Sequence, residues 1–232
     1  MHLVIFDLDG TLTQTYYGGD NSYTMALSEQ LPIDPNYKYW KDCTNLTDSA
    51  VLDHIYNKVV GRSPTPEEIL EMQDRFHLRL EAKRERDPSF FHEVPGAVRA
   101  VEALLERGDT LVGVATGGWE RMARYKLHHG QFPIERLHIT GSDDHFAKRD
   151  FVAAMMDGLK ERHELEDFHS VNYVGDSRYD YRAAEALGIG FVGINYNNAP
   201  FLAETAAQHV LPSYEDLEAF FVALGLPALQ RS

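Results

Sequence analysis

Two aspartates one residue apart, Asp7 and Asp9, follow the apolar run Val4, Ile5 and Phe6, and Gly10 comes directly after them. Carboxylates are costly to desolvate, and two held close together repel. Side chains two apart on a strand point to the same face, so this pair converges if the strand persists that far. Gly10 then lets the chain turn sharply away. Three later segments carry matching chemistry. "TGGWER" places Thr116, Gly117 and Gly118 at the start of a helix, where a hydroxyl and free backbone N–H groups suit a phosphate. "GSDDHFAKRD" brings Lys148 and Arg149 to the opening of the next helix, and "GDSRYD" supplies Asp176 and Asp180. Four carboxylates gathered in one cleft require a positive partner. Oxygen ligands without His or Cys companions select a hard cation, Mg²⁺ first among them.

Each of these features has a plainer reading. An isolated Asp-Gly pair is a turn, Thr116 is an ordinary helix cap, and Asp176 or Ser177 can close a helix. Arg121 and Arg124 read as a solvated face with a minor chance of touching substrate. Cys43 reads as a half-buried thiol rather than a nucleophile. The eleven histidines show no ligand spacing, and the adjacent His128 and His129 diverge on a helix toward the surface. What favours chemistry is that all four segments fall at the ends of apolar runs.

Those runs must be strands that place the segments together. Residues 3–6, 110–115, 137–140, 171–174 and 189–194 read as short buried strands. They alternate with helical patterns at 97–107, 119–129, 149–163 and 179–187, several of them closed by glycine. Such alternation predicts an α/β fold with a Rossmann-like, doubly wound parallel sheet. Ligands of such sheets bind at the carboxyl ends of the strands. Residues 16–91 break the rhythm. Thr47 can cap a helix bearing Val51, Leu52, Ile55 and Val59. "TPEE" at 65–68 opens another helix, with Ile69, Met72, Phe76 and Leu80 on one stripe, which Asp87 and Pro88 end. An all-helical insert of about 75 residues suffices for a small lobe. The expected division is therefore a core of 1–15 and 92–232 and a cap of 16–91. Hinges are expected near 14–20, at Gly18 and Gly19, and near 88–95, at Pro88 and Pro95. Tyr16, Tyr17 and Trp40 line the cleft or pack within the insert.

Composition narrows the function. The 232 residues carry a net charge of −14, which argues against a nucleic-acid surface. An anionic substrate then needs a local positive site. No apolar run reaches the roughly 18–20 residues that span a bilayer, and no secretory segment is read at the N-terminus. With a single cysteine, a cytoplasmic location is expected. A monomer is the default, with a homodimer possible.

"DLDGTLT", a Thr ending a buried strand, a Lys before a helix and "GDSRYD", in that order, resemble the four motifs of the haloacid dehalogenase-like hydrolases. The resemblance spans residues 7–180. "LTDSAVLDHIY" at 46–56 also resembles a cap segment of the phosphoglycolate-phosphatase-like branch. The resemblance implies a Mg²⁺-dependent phosphatase acting on a small phosphorylated metabolite. Asp7 is then the nucleophile, and Asp9 the general acid and base. Thr116 and Gly117 hold the phosphoryl group, and Lys148 neutralises it. Asp7, the Asp9 backbone carbonyl and Asp176 hold the metal, with Asp180 in support. Arg149 stands where the family often has proline, so Lys148 and Arg149 compete for the cationic role. Alternatives are a sugar phosphomutase, a metal-independent dehalogenase, a phospho-accepting signalling domain and a non-catalytic binding member.

Overall fold

The structure is a computed structural model and describes residues 1–15, 21–36, 39–196, 200–202 and 205–227. Six strands, β1 (His2–Phe6), β2 (Thr110–Ala115), β3 (His138–Thr140), β4 (Ser170–Gly175), β5 (Gly190–Ile194) and β6 (His209–Leu211), form one sheet in the order β3-β2-β1-β4-β5-β6. Every pairing is parallel, so the α/β expectation holds. β1 lies at the centre, with Phe6 in register with Val114 on one side and Val174 on the other. The chain reverses direction across the sheet there, and a crevice opens between the ends of β1 and β4.

Alternation along β1 explains the two core layers. Val4 and Phe6 join one apolar cluster with Val112, Val114, Val174 and Val192, covered by α4 (Ala97–Leu105), α5 (Glu120–His129) and α8 (Leu217–Ala223). Leu3 and Ile5 join the other with Phe151, Val152 and Ala184 from α6 (Lys148–Arg162) and α7 (Arg178–Leu187). A strand apolar at every position is what a sheet covered on both faces requires. β6 and α8 escaped the sequence pattern because three and seven residues are too short for a period to show.

Among the described residues, three α-helices lie between β1 and α4: α1 (Ser22–Gln30), α2 (Asp48–Val59) and α3 (Pro66–Arg86). Thr47 caps α2 by accepting from the Ala50 N–H. Thr65 and Glu68 form the expected reciprocal box at α3, and Asp87 ends it. Leu27, Leu52, Ile55, Met72, Phe76 and Leu80 make a third apolar cluster, which two core residues enter, Trp119 and Met122. Trp119 is fully buried, its ring set edge-on to Phe76 and tilted against Tyr23. Its indole N–H donates to Ser49 Oγ at 2.8 Å. The chain enters and leaves the helical segment side by side. Gln14 N–H donates to the His92 carbonyl and Val94 N–H to the Leu12 carbonyl, each at 2.8 Å, and Thr13 pairs with Glu93 in antiparallel fashion. The expected hinge glycines Gly18 and Gly19, together with Tyr16 and Tyr17, lie outside the described residues, as does the side chain of Trp40.

Trp119 is thus the largest single side chain joining the helices to the sheet. Trp119→Ala should destabilise the protein by about 3–5 kcal/mol. Urea unfolding checks this, and a loss below about 1 kcal/mol would show that the joint rests elsewhere.

Candidate active site

The ends of β1 and β4 converge on a group of carboxylates. The oxygens of Asp7, Asp176 and Asp180 lie within 4.8 Å of one another. β1 ends at Phe6, and the ladder runs one residue further, Asp7 N–H donating to the Val174 carbonyl at 2.8 Å. Beyond it the chain coils tightly, with Thr11, Leu12 and Thr13 all donating to the Leu8 carbonyl. Gly10 has φ +83°, and a Cβ there would fall 2.2 Å from Asp176 Oδ2. The glycine therefore serves two ends: it adopts a left-handed backbone, and it leaves the space that Asp176 occupies. Gly175 likewise leaves room for Asp180, whose Cβ lies 2.4 Å from where a Cβ of residue 175 would be.

A lysine answers this negative charge. Lys148 Nζ donates to Asp7 Oδ1 at 3.1 Å and to Asp180 Oδ1 at 2.5 Å. Arg149, the alternative cation, points away, pairing with Asp150 with its side chain 59% exposed. Asp180 is fully buried, and its other oxygen accepts from the Ser177 N–H and hydroxyl at 2.9 and 2.6 Å. Ser177 in turn caps α7, so it is Ser177 that closes this helix. Asp180 thus orients Lys148 and fixes the start of α7 at once.

Asp9 has a separate partner. Lys126 of α5 donates to both Asp9 oxygens, at 2.8 and 2.7 Å, in a pair whose side chains are 7% and 3% exposed. The expected convergence of Asp7 and Asp9 is therefore modified: each carboxylate is drawn to a different lysine. Sequence reasoning missed Lys126. Its signal was position, since it occupies the buried stripe of α5 with Met122, Ala123 and Leu127. Asp48, also missed, looks like an ordinary first-turn acid of α2. It is buried, and its Oδ2 accepts from the Trp119 N–H at 3.2 Å.

The phosphate loop differs from expectation at its helical end. α5 starts only at Glu120, and its first donors are taken: Trp119 N–H by Asp48, and Glu120 N–H by Asp143 at 2.8 Å. Those carboxylates already complement the helix dipole there. Thr116 is buried and accepts from the Gly118 N–H at 3.2 Å. The Gly117 carbonyl accepts from Asp48 N–H at 2.8 Å, so the helical segment docks directly on this loop. Arg121 pairs with Asp74 of α3 and Arg124 with Glu120, both at the surface. Cys43 is half-buried, and burial and Asp42 push its thiol up, away from a reactive thiolate. His129 is not a free surface residue as expected but packs on Tyr125 and Phe91.

Electrostatics identify the strained groups. Burial, then Asp180 and Asp9, push the Asp7 carboxyl up to about 7 against the opposing pull of Lys148. Burial, Asp180 and Asp7 hold the Asp176 carboxyl well above its ordinary range. Burial also pushes Asp48 up to about 7, against Lys126 and the Trp119 N–H. Burial alone would lower the Lys148 ammonium, but Asp180 and Asp7 reverse that and hold it well above the ordinary lysine value. Asp7 and Asp176 thus lie where an added dication would relieve mutual repulsion. An all-oxygen donor set around a space kept open by Gly10 fits a hard divalent ion.

Known proteins agree with this geometry. The sequence model of the haloacid dehalogenase-like hydrolase family matches residues 4–194. No curated protein sequence matches the chain significantly. Among solved structures, a hydrolase from Pseudomonas syringae is similar at TM-score 0.66 and 22% identity, over 94% of this chain and 96% of that one. A predicted phosphoglycolate phosphatase from Haemophilus somnus gives 0.61 and 19%, over 94% and 96%. CbbY from Rhodobacter sphaeroides, solved in complex with phosphate, gives 0.65 and 18%, over 97% and 99%. At these identities the structural likeness shows the fold alone.

The raised carboxyls set the sign of a pH effect. A folded-state value above the unfolded one stabilises the protein below the unfolded value, and the benefit is lost as pH rises through the folded value. For Asp7 that window runs from about 4 to about 7. A bound dication favours the charged form, so it should stabilise more at pH 8 than at pH 5. At a hundred times its Kd it should add about 2.7 kcal/mol, or about 5–10 °C in Tm, at the higher pH. Thermal scans with Mg²⁺ and with chelator at both pH values test this; equal shifts would remove the ion from these carboxylates. Gly10→Ala should abolish the Mg²⁺-dependent shift, because its methyl takes the place of Asp176 Oδ2. A variant that keeps the shift would show that Asp176 is not a ligand.

Proposed function

This chain belongs to the haloacid dehalogenase-like hydrolases, and we propose that it is a Mg²⁺-dependent phosphatase acting on a small phosphomonoester. The observation that carries this reading is the gathering of Asp7, Asp176 and Asp180 within 4.8 Å, with Lys148 bridging Asp7 and Asp180. Asp7, the Asp9 backbone carbonyl and Asp176 would hold Mg²⁺. The ion would neutralise and orient phosphoryl oxygens, which is most of what phosphoryl transfer requires. Asp180 supports the site by orienting Lys148 rather than by facing the substrate.

The reaction runs in two steps. Asp7 attacks phosphorus in line with the leaving oxygen, the P–O bond to the alcohol breaks, and Asp9 delivers a proton to that oxygen. Asp9, left as a carboxylate, then takes a proton from water as the water oxygen displaces Asp7 from phosphorus. Inorganic phosphate leaves, and Asp7 and protonated Asp9 are restored. Thr116 and the Gly117 N–H hold the phosphoryl oxygens, and Lys148 offsets their charge.

The core is residues 1–15 and 92–232, and residues 16–91 form a cap. Its seat on Gly117 and Trp119 supports a role as a lid that excludes water from the crevice. A lid of this kind favours a small metabolite over a protein substrate. A cytoplasmic monomer fits the one half-buried cysteine and the lack, among the described residues, of any helix long and apolar enough to cross a membrane.

A phosphate-release screen over small phosphorylated metabolites with Mg²⁺ tests the reading. Asp7→Asn should lose at least about 1,000-fold in kcat while circular dichroism stays unchanged. Activity that survives this change, or survives chelator, would refute the mechanism. Transfer to a second sugar phosphate in place of release to water would mark a phosphomutase.

A further inference from the structure

The outer edge of the sheet carries a groove that the proposed reaction does not use. It holds about 360 Å³ between β3, α5 and α6, lined among others by Ile139, Met155, Leu159, Arg124 and Arg162. That volume sits at the low end of small-molecule pockets, which run from roughly 300 to 1,000 Å³. At 1.5 Å per residue, Met155 and Arg162 lie roughly 10 and 21 Å further along α6 than Lys148, so the groove runs away from the catalytic carboxylates.

Two glycines shape it. Gly113 is inside β2, where a Cβ would fall 2.4 Å from the Met155 sulfur. Its absence lets Met155 lie flat against the sheet as an apolar floor. Gly158 stands inside α6, where glycine costs helix stability relative to alanine. Among the described residues no atom lies within 4 Å of where its Cβ would be, so no close contact requires a glycine there. The missing side chain leaves one wall of the groove open.

The charges on the groove do not balance. Arg124 and Glu120 pair at 2.7 Å and offset each other. Arg162 donates to His138 Nδ1 at 3.2 Å, and among the described residues no carboxylate pairs with it. Burial, Arg162 and His163 hold the His138 imidazole below its ordinary value, which keeps it a neutral acceptor. Most of the guanidinium fork is left for another partner, and its planar donors match a carboxylate through two parallel hydrogen bonds. Met155, Leu159 and Ile139 offer apolar surface to whatever body carries that carboxylate. β3 has only three residues, too short an edge for a peptide strand to add along it.

We propose that the groove along β3 binds a small organic anion, a carboxylate on a compact apolar body such as a benzene ring, with Arg162 holding the carboxylate and Gly158 leaving room for the ring. This site goes beyond the phosphatase reading and does not rest on it.

Proton–nitrogen NMR spectra of the protein, titrated with benzoate, test the proposal. Benzoate should move the amide signals of Ile139 and Gly158 saturably, with a Kd on the order of 1 mM, as suits a ligand of so few atoms. Benzamide keeps the ring without the charge, and acetate keeps the charge without the ring. Each should bind at least about 10-fold more weakly. Arg162→Gln should weaken benzoate by about 10-fold. Gly158→Leu should abolish the shifts with no loss of helical circular dichroism, because it fills the groove and removes a glycine from a helix. Both substitutions fall at exposed positions, and the benzamide and acetate arms need no variant, so a variant that did not fold would leave the test standing. The proposal is overturned if benzoate moves no groove amide, or if either variant binds it as the wild type does. Acetate or benzamide binding as tightly as benzoate would overturn it too, by showing that the ring or the charge is not recognised.

Discussion

Like charges crowded at the buried end of a parallel sheet are the constraint on which this structure turns. Asp7, Asp9, Asp176 and Asp180 all lie there, and all but Asp176 are nearly or wholly inaccessible to solvent. Two lysines, each carried by a different helix, divide the load: Lys148 serves Asp7 and Asp180, and Lys126 serves Asp9. Removing one partner from a buried pair typically costs about 3–5 kcal/mol, since it strands the other charge. Asp176 has no such lysine, and its carboxyl is accordingly among the most strained. Two lysines among four carboxylates leave the site short of positive charge, and a divalent cation would fill that deficit before an anion could be held on a chain of net charge −14.

The helical segment matters because it is seated on the loop that follows β2, beside this site. Several of its polar contacts to the rest of the chain meet at the start of α2: Asp48 on the Trp119 and Gly117 backbone, Ser49 on the indole, and Thr47 on the Phe146 carbonyl at 2.8 Å. Trp119 supplies the apolar part of the same contact. In the proposed lid role, this seating on the loop after β2 would set how much water the crevice contains. Lower water content strengthens each electrostatic contact there. The paired chain crossing at 12–14 and 92–94 leaves the helices attached through a short antiparallel ribbon, the kind of connection about which a lid can move.

Likeness to solved structures near 20% identity, over nearly the whole of each chain, is what a fold held by apolar layers on both faces of a sheet produces. Apolar positions in the two core layers tolerate exchange at constant volume. Asp7, Gly10, Lys148, Asp176 and Asp180 do not, because each depends on charge or on missing volume.

The sequence alone determined where five of the strands lie along the chain, the capping of α2 and α3, and the carboxylates Asp7, Asp9, Asp176 and Asp180. These are local: a short continuous apolar run, a Thr with a Glu three residues on, or an Asp after an apolar run declares itself within a few residues. Tertiary structure alone decided the rest. Choosing Lys148 over Arg149 required knowing which way the first turn of α6 faces the sheet. The partners of Lys126, Asp48 and Trp119 lie about 70 to 120 positions away along the chain, and no local pattern encodes a pairing across that separation. The Trp119 and Glu120 N–H groups at the start of α5 are taken by Asp48 and Asp143, side chains that only packing brings to them.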